Sequence, residues 1–532
     1  MSLKTQWVKR FAMSKLEVKL SPELAKKISG AIESVIDSRI ASRISEKDST
    51  VWGAAAQPEA SIRLGWVSSF RDSSNLVPEI IQLRDELRSK GIDRVVLCGM
   101  GGSSLAPEVI AKVNGKDLVT LDSTAPSQVM GALTELDRTA VVVSSKSGST
   151  VETDSQKRAF EKAFADAGIN PAERIIIVTD PGSPLEEASR QSGYRVFNAD
   201  PNVGGRYSAL TAFGLVPSGL AGCDIAKLLI DANKVAASLA ADSTDNPAIQ
   251  LAAALAGDQS RDKFLIEADA LPGFGDWVEQ LVAESTGKEN KGVLPVALDA
   301  GAPEIALKLP DVLTVRYGTN ADLSFSGDLG AIFLLWEYAT AIAGWLLGIN
   351  PFDQPNVESA KVAARALLDD PVFTKDIDFV SSGIAIKGRA LELHGTTLDA
   401  AIEALLASVG PQSYLSVHAY LPSNSYPQFS KLRDLLANRL KRPVTFGWGP
   451  RFLHSTGQYH KGGPKQGVFL QITQGETEDL AIPGREFSFG QLIQAQASGD
   501  AKVLADQGLP VLSLELSNPL QGFDQIVKAL QP

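Results

Sequence analysis

The first pattern along the chain has a period near four. Leu24, Ile28, Ile32, Ile36 and Ile40 recur at every fourth position, the spacing that gathers apolar side chains on one helix face. Ser21, Pro22 and Glu23 precede them as N-cap, first-turn proline and first-turn acid. The spacing predicts an amphipathic helix over 22–45. The pattern then changes to short, β-branched, nearly continuous apolar runs at 94–98, 118–122, 140–144 and 174–179. Helical segments lie between most of them, as in a parallel sheet covered on both faces. A second set follows at 264–267, 293–298, 312–315, 414–419, 444–448, 468–472 and 511–514. Helices are expected near 330–348, 357–369, 397–408, 427–440, 487–506 and 519–530.

These patterns predict an α/β protein of two doubly wound domains with mainly parallel sheets, residues 61–235 and 236–532. An N-terminal helical segment, 1–60, precedes them, and the second domain carries a C-terminal extension. The run 330–349 is long enough to span a bilayer. However, Glu337 lies near its middle, no Lys or Arg cluster flanks it, and no second such run exists. A helix buried in a large α/β core is the expectation.

One stretch, 276–288, carries chemistry as well as pattern. Trp277, Val278, Leu281 and Val282 form an apolar stripe, and Gln280 and Glu284 share the adjoining face. Asp276 is placed to N-cap the helix, Glu279 to complete a capping box, and Gly287 to end it in the left-handed conformation. A carboxylate at the edge of an apolar stripe is partly desolvated, which suits Glu284 to act as a base.

Composition narrows the classes. At 532 residues the chain is too long for one core. A formal charge of −11 and a pI of about 5.1 disfavour nucleic acid and anionic membranes as main partners. They leave room for an anionic small substrate in a locally positive pocket. Two cysteines, Cys98 and Cys223, are too few for a disulfide framework or a structural zinc site and fit a reducing cytoplasm. The first ten residues lack the apolar core of a signal peptide.

Two loops follow apolar strands. Gly99-Met100-Gly101-Gly102-Ser103-Ser104 lacks the last glycine of a dinucleotide fingerprint, since Ser104 occupies that position. It still admits a ligand close to the backbone, or serves as a tight strand-to-helix turn. Ser145-Lys146-Ser147-Gly148-Ser149-Thr150-Val151-Glu152-Thr153 brings hydroxyls and backbone N–H groups to a helix N-terminus, a setting for a phosphate monoester.

In combination these motifs resemble a family. The Ser-Lys-Ser-Gly-Ser-Thr-x-Glu-Thr loop resembles the sugar-phosphate loop of sugar isomerase (SIS) domains. It joins Gly-Met-Gly-Gly-Ser-Ser-Leu, Gly204-Gly205-Arg206-Tyr207-Ser208-Ala209-Leu210, Gln280 through Lys288, and Ile349 through Lys361. Together they resemble the glucose-6-phosphate isomerase family, in the family's order over about 95–361, and most of all a divergent bacterial branch often fused to a transaldolase. The resemblance implies two SIS-type domains, a homodimer, no cofactor and no metal. It implies Glu284 as the base moving a proton between C1 and C2, and Arg206, backed by Gly205, as stabiliser of the enediolate. Gln280 would orient substrate. Ser145, Lys146, Ser147, Thr150 and Thr153 would bind phosphate, with Gly102 and Ser103 lining the pocket, and Gln354 and Lys361 would assist at the sugar oxygens.

One motif departs from the family. Its ring-opening histidine is expected in Gly-Thr-Asn-x-x-His-x-Phe, and here that segment, Gly318 to Phe325, has Leu323 instead. The four histidines, His394, His418, His454 and His460, all follow Lys361. His454 is the first choice for the missing role and His460 the second; a histidine at a glycine-rich turn also serves a purely structural role. The implied function is isomerisation of glucose 6-phosphate and fructose 6-phosphate. Isomerisation of another phosphosugar such as mannose 6-phosphate, or non-catalytic sugar-phosphate sensing, are the other readings.

Overall fold

The computed structural model describes residues 16–369, 376–475 and 478–531, and of residues 360, 361 and 369 the backbone alone. Its strands form three sheets. The first is fully parallel, in the order Val119–Leu121, Arg94–Gly99, Thr139–Ser144, Ile175–Thr179, Arg195–Asn198. Its central strands read as continuous apolar runs because both faces are buried. Val141 and Val143 pack with Phe160 and Phe164 on one side, while Ala140 and Val142 join Leu215 and Val216 on the other.

The runs predicted for 236–532 divide between two further sheets. One holds Leu294–Leu298, Lys263–Glu267, Val312–Tyr317 and Leu323–Ser326 in parallel, closed by Glu17–Leu20 antiparallel at its edge. The other holds Val444–Trp448, Tyr414–Tyr420, Gly467–Gln474 and Val511–Leu516 in parallel. Ile384–Arg389 and Phe379–Ser381 extend it as antiparallel strands. Numbering the parallel strands of each sheet in chain order, the first runs 2-1-3-4-5 and the other two run 2-1-3-4. This arrangement leaves a crevice at the carboxyl ends where the order reverses.

The helix predicted over 22–45 is present as Pro22–Asp37 and Ile40–Ser45, parted at Arg39, whose φ of 54° interrupts the helical path. The apolar helix Leu329–Leu347 is packed inside the protein, with Ile332 to Ala343 fully or almost fully buried. Glu337 is tolerated there because burial raises its carboxyl well above the usual range and keeps it neutral.

Helix Phe274–Thr286 corrects three local expectations. It starts two residues before Asp276, behind Gly273 at φ 81°. Asp276 pairs with Arg451 at 3.2 Å instead of capping, and Glu279 accepts from the Ala297 N–H at 2.9 Å instead of closing a capping box. Gly287 has φ −76°, so it is not left-handed. What requires glycine there is proximity: a Cβ would stand 2.4 Å from the Tyr459 Cα.

Candidate active site

The two loops that follow neighbouring strands of the first sheet, 100–104 and 145–150, flank its order-reversal crevice. Gly101 has φ +55°, and a Cβ on it would lie 2.6 Å from the His454 carbonyl oxygen and 2.7 Å from Gln280 Nε2. A Cβ on Gly102 would lie 2.0 Å from the Gly205 carbonyl oxygen. The glycines thus bring four chain segments, around residues 101, 205, 280 and 454, into close contact.

Glu284 stands at the centre. Its side chain is 14% exposed, against 3% for Arg206, whose Nη1 lies 3.3 Å from Glu284 Oε1. Gln280 Nε2 donates to Glu284 Oε2 at 3.2 Å and to the His454 carbonyl at 2.8 Å. The guanidinium of Arg206 is fixed on every side. Its Nε donates to Ser285 Oγ at 2.8 Å, its Nη1 to Gln354 Oε1 at 2.9 Å, and its Nη2 to the carbonyls of Pro351 and Asp353 at 2.8 and 3.1 Å. A cation so held keeps its place while charge develops beside it.

Lys288, on the turn beyond the helix, anchors the same loop. Its buried ammonium donates to the Asn350 carbonyl at 2.7 Å and to the carbonyl and Oδ1 of Asp353, both at 2.6 Å. Burial, helped by the neighbouring Arg206 and opposed by Asp353 and Glu284, lowers this lysine to about 8. Below that pH the ammonium fills three acceptors; above it the neutral amine has one donor fewer and no charge for the Asp353 carboxylate. We expect kcat/KM to fall as pH rises through about 8, and Lys288→Met to lower activity and abolish that alkaline limb. Matching alkaline limbs in wild type and variant would remove Lys288 from this role.

The histidine comes from the third sheet. His454 ends the short turn Arg451–His454, which follows strand Val444–Trp448. Its Nε2 lies 2.9 Å from Glu152 Oε1, and Gln496 Nε2 donates to the same oxygen at 2.7 Å. Glu152 sits in the first turn of helix Val151–Asp166, directly behind the serine-rich loop. His460 is elsewhere: it is buried, its Nδ1 2.9 Å from Tyr414 Oη, and burial holds it well below its usual range. Leu323 is a fully buried strand residue paired with Val315 and Leu20.

In the serine-rich loop, Ser145 Oγ donates to Thr150 Oγ1 at 3.2 Å and accepts from the Gly148 N–H at 3.2 Å. Ser147 is exposed beside Ser149, and Thr153 is buried with no hydrogen bond to its Oγ1 among the described residues. Ser103 is half-buried in the adjacent turn. Lys146 does not face the others as a free cation: it pairs with Asp180 and donates to the Pro201 carbonyl at 3.2 Å. Lys361 lies in helix Val357–Asp369, and its side chain is outside the described residues.

The structure thus gathers Glu284, Gln280, Arg206, Gln354, Gly102, Gly205 and His454, and it adds Glu152, Ser285 and Lys288. Residues 85–293, which contain most of this set, match the family model of phosphoglucose isomerase. This region is thus similar to phosphoglucose isomerases, and the sequence relatives agree with that similarity. The chain is 30% identical over 346 residues to the glucose-6-phosphate isomerase of Cyanothece sp., across 52% of this chain and 65% of that protein, so it spans less than two thirds of that relative's length. It is 29% identical over 340 residues to a probable glucose-6-phosphate isomerase of Haloarcula marismortui, across 52% of this chain and 78% of that protein.

The fold is similar to that of a hypothetical protein from Thermus thermophilus, with a TM-score of 0.59 and 23% identity over 66% of this chain and all of that one. It is also similar to a glucose-6-phosphate isomerase from Chlamydia trachomatis, with a TM-score of 0.51 and 19% identity over 60% of this chain and 76% of that one. The matched region ends before His454, which reaches it from the third sheet.

Proposed function

We propose that this protein interconverts glucose 6-phosphate and fructose 6-phosphate through ring opening and a cis-enediolate. The observation that carries the proposal is Glu284 beside a fixed Arg206 guanidinium, 3.3 Å away, within a region similar to phosphoglucose isomerases. An aldose–ketose isomerisation needs a base for the carbon-bound proton, a cation for the enediolate oxygens and a donor to open the ring. Glu284 takes the proton from C2 of the aldose and returns it to C1. Arg206 faces the developing negative charge. The hydroxyls of Ser145, Ser147 and Thr150 hold the phosphate with the N-terminus of helix Val151–Asp166. His454, oriented by Glu152, moves the proton between ring oxygen and C1 hydroxyl; the catalytic set is Glu284, Arg206 and His454, with Lys361 next to be tested.

Sensing without catalysis would need the phosphate loop but not the Arg206–Glu284 pair, and so is the weaker reading. A cytoplasmic setting and a homodimer go with the same proposal. A partner subunit is not required to supply the histidine, since His454 belongs to the same chain. The test is an enzyme-coupled assay of fructose 6-phosphate conversion after extensive EDTA treatment. Turnover is expected to persist, since no group of three His, Cys, Asp or Glu side chains among the described residues is placed to hold a metal ion. Activity lost to EDTA and restored by a divalent metal would point to another mechanism.

A further inference from the structure

A second crevice adjoins the helix that carries Gln280 and Glu284 but excludes both residues. It is a cavity of about 400 Å³ between the second and third sheets. Its walls come from the carboxyl ends of parallel strands: Ala268 to Gly275 after Lys263–Glu267, Asp299 after Leu294–Leu298, and the segment after Val444–Trp448. Open α/β sheets bind ligands at such ends, and the volume is that of a small-molecule site.

Its chemistry is specific. Glu279 lines the cavity and is only 8% exposed. Its Oε1 accepts from Ala297 N–H at 2.9 Å, and no described residue donates to Oε2. Burial, reinforced by Asp276 and offset in part by Arg433 and Arg451, raises this carboxyl to about 8. The two wall arginines are already matched. Arg451 lies 2.7, 2.9 and 3.2 Å from Glu108, Asp122 and Asp276, and Arg433 lies 2.7 Å from Glu304 and also pairs with Asp434. Five carboxylates around these two guanidiniums and Lys112, which pairs with Glu108 at 2.6 Å, still leave surplus negative charge. The exposed rim residues Asp269 and Asp299, which form no ion pair with any described residue, add to it. Trp448 and Phe446, edge to face at 4.9 Å, supply an aromatic wall.

We infer that this cavity binds a small organic cation, an amine or guanidinium on a short apolar stem, with its charge at Glu279 Oε2 and its stem along Trp448. A guanidinium satisfies the open carboxylate oxygen with charge-assisted hydrogen bonds and stacks on an aromatic face. A bound cation also favours the carboxylate form, so affinity rises with pH towards 8 while the guanidinium stays charged.

The test is calorimetric titration of the full chain with agmatine, with and without fructose 6-phosphate. Saturable one-to-one binding is expected, unaffected by the sugar phosphate and by Glu284→Gln. Glu279→Gln, which keeps the acceptor for Ala297, should weaken it by roughly 10- to 100-fold, as loss of a hydrogen bond to a charged group does. The surface double variant Asp269→Asn, Asp299→Asn carries little folding risk and should also weaken it. Absence of saturable binding, affinity unmoved in both variants, or displacement by fructose 6-phosphate would overturn the inference. Isomerase turnover enters none of these readouts, so the outcome is separate from that of the proposed activity.

Discussion

Glu284→Gln is expected to lower the rate of conversion of fructose 6-phosphate to glucose 6-phosphate by about 10² to 10⁴, the usual worth of a general base. Affinity for the sugar phosphate should stay near wild type, because the phosphate loop is built on a different sheet. The amide keeps the shape of the side chain but cannot take a carbon-bound proton. It also removes the charge facing Arg206 at 3.3 Å. That guanidinium retains Ser285, Gln354 and the carbonyls of Pro351 and Asp353. The structural cost is therefore small, and a thermal unfolding scan should show a folded variant. Near-normal turnover would remove Glu284 from the chemistry.

His454→Ala should separate two steps. Opening the pyranose ring asks for a group that exchanges protons near neutrality, and histidine is the natural one. The imidazole is fixed through Glu152, which Gln496 holds in turn. Turnover of the cyclic sugar phosphate should fall by about 10² to 10⁴, whereas C2-proton exchange of an open-chain analogue should fall far less. Equal losses would place His454 in the proton-transfer step or in the scaffold. If neither reaction slowed, the role would pass to Lys361, since His460 is buried with its Nδ1 against Tyr414 Oη.

What could be read in the sequence was local. The strands at 140–144 and 174–179 were legible because burial on both faces leaves an unbroken apolar run, and the helix at 22–45 because its period is near four. The allotment of strands to sheets was not legible: a parallel strand looks the same whichever sheet it enters. Edge strands such as Glu17–Leu20 and Phe379–Ser381 are too short to give a period. The capping expectation at Asp276 failed for a related reason, since Arg451, 175 residues away, competes for its carboxylate. Glu284, Gln280 and Arg206 were accessible through spacing and family resemblance. Glu152 sat in a quoted motif yet gave no signal of its role, because its histidine partner is 302 residues distant. His454 was favoured over His460 by its neighbours in sequence; in the structure His454 contacts Glu152 and His460 contacts Tyr414.

The most direct measurement follows the carbon-bound proton. The purified chain, freed of metal with EDTA, is incubated with fructose 6-phosphate in deuterium oxide, and the glucose 6-phosphate formed is analysed at C2 by NMR. A base that lifts a proton and returns it through an enediolate exchanges part of it with solvent. The account predicts glucose 6-phosphate with deuterium at C2, formed by the wild type and lost with Glu284→Gln. No glucose 6-phosphate, or product whose C2 proton is wholly retained, as a hydride shift would leave it, would contradict it.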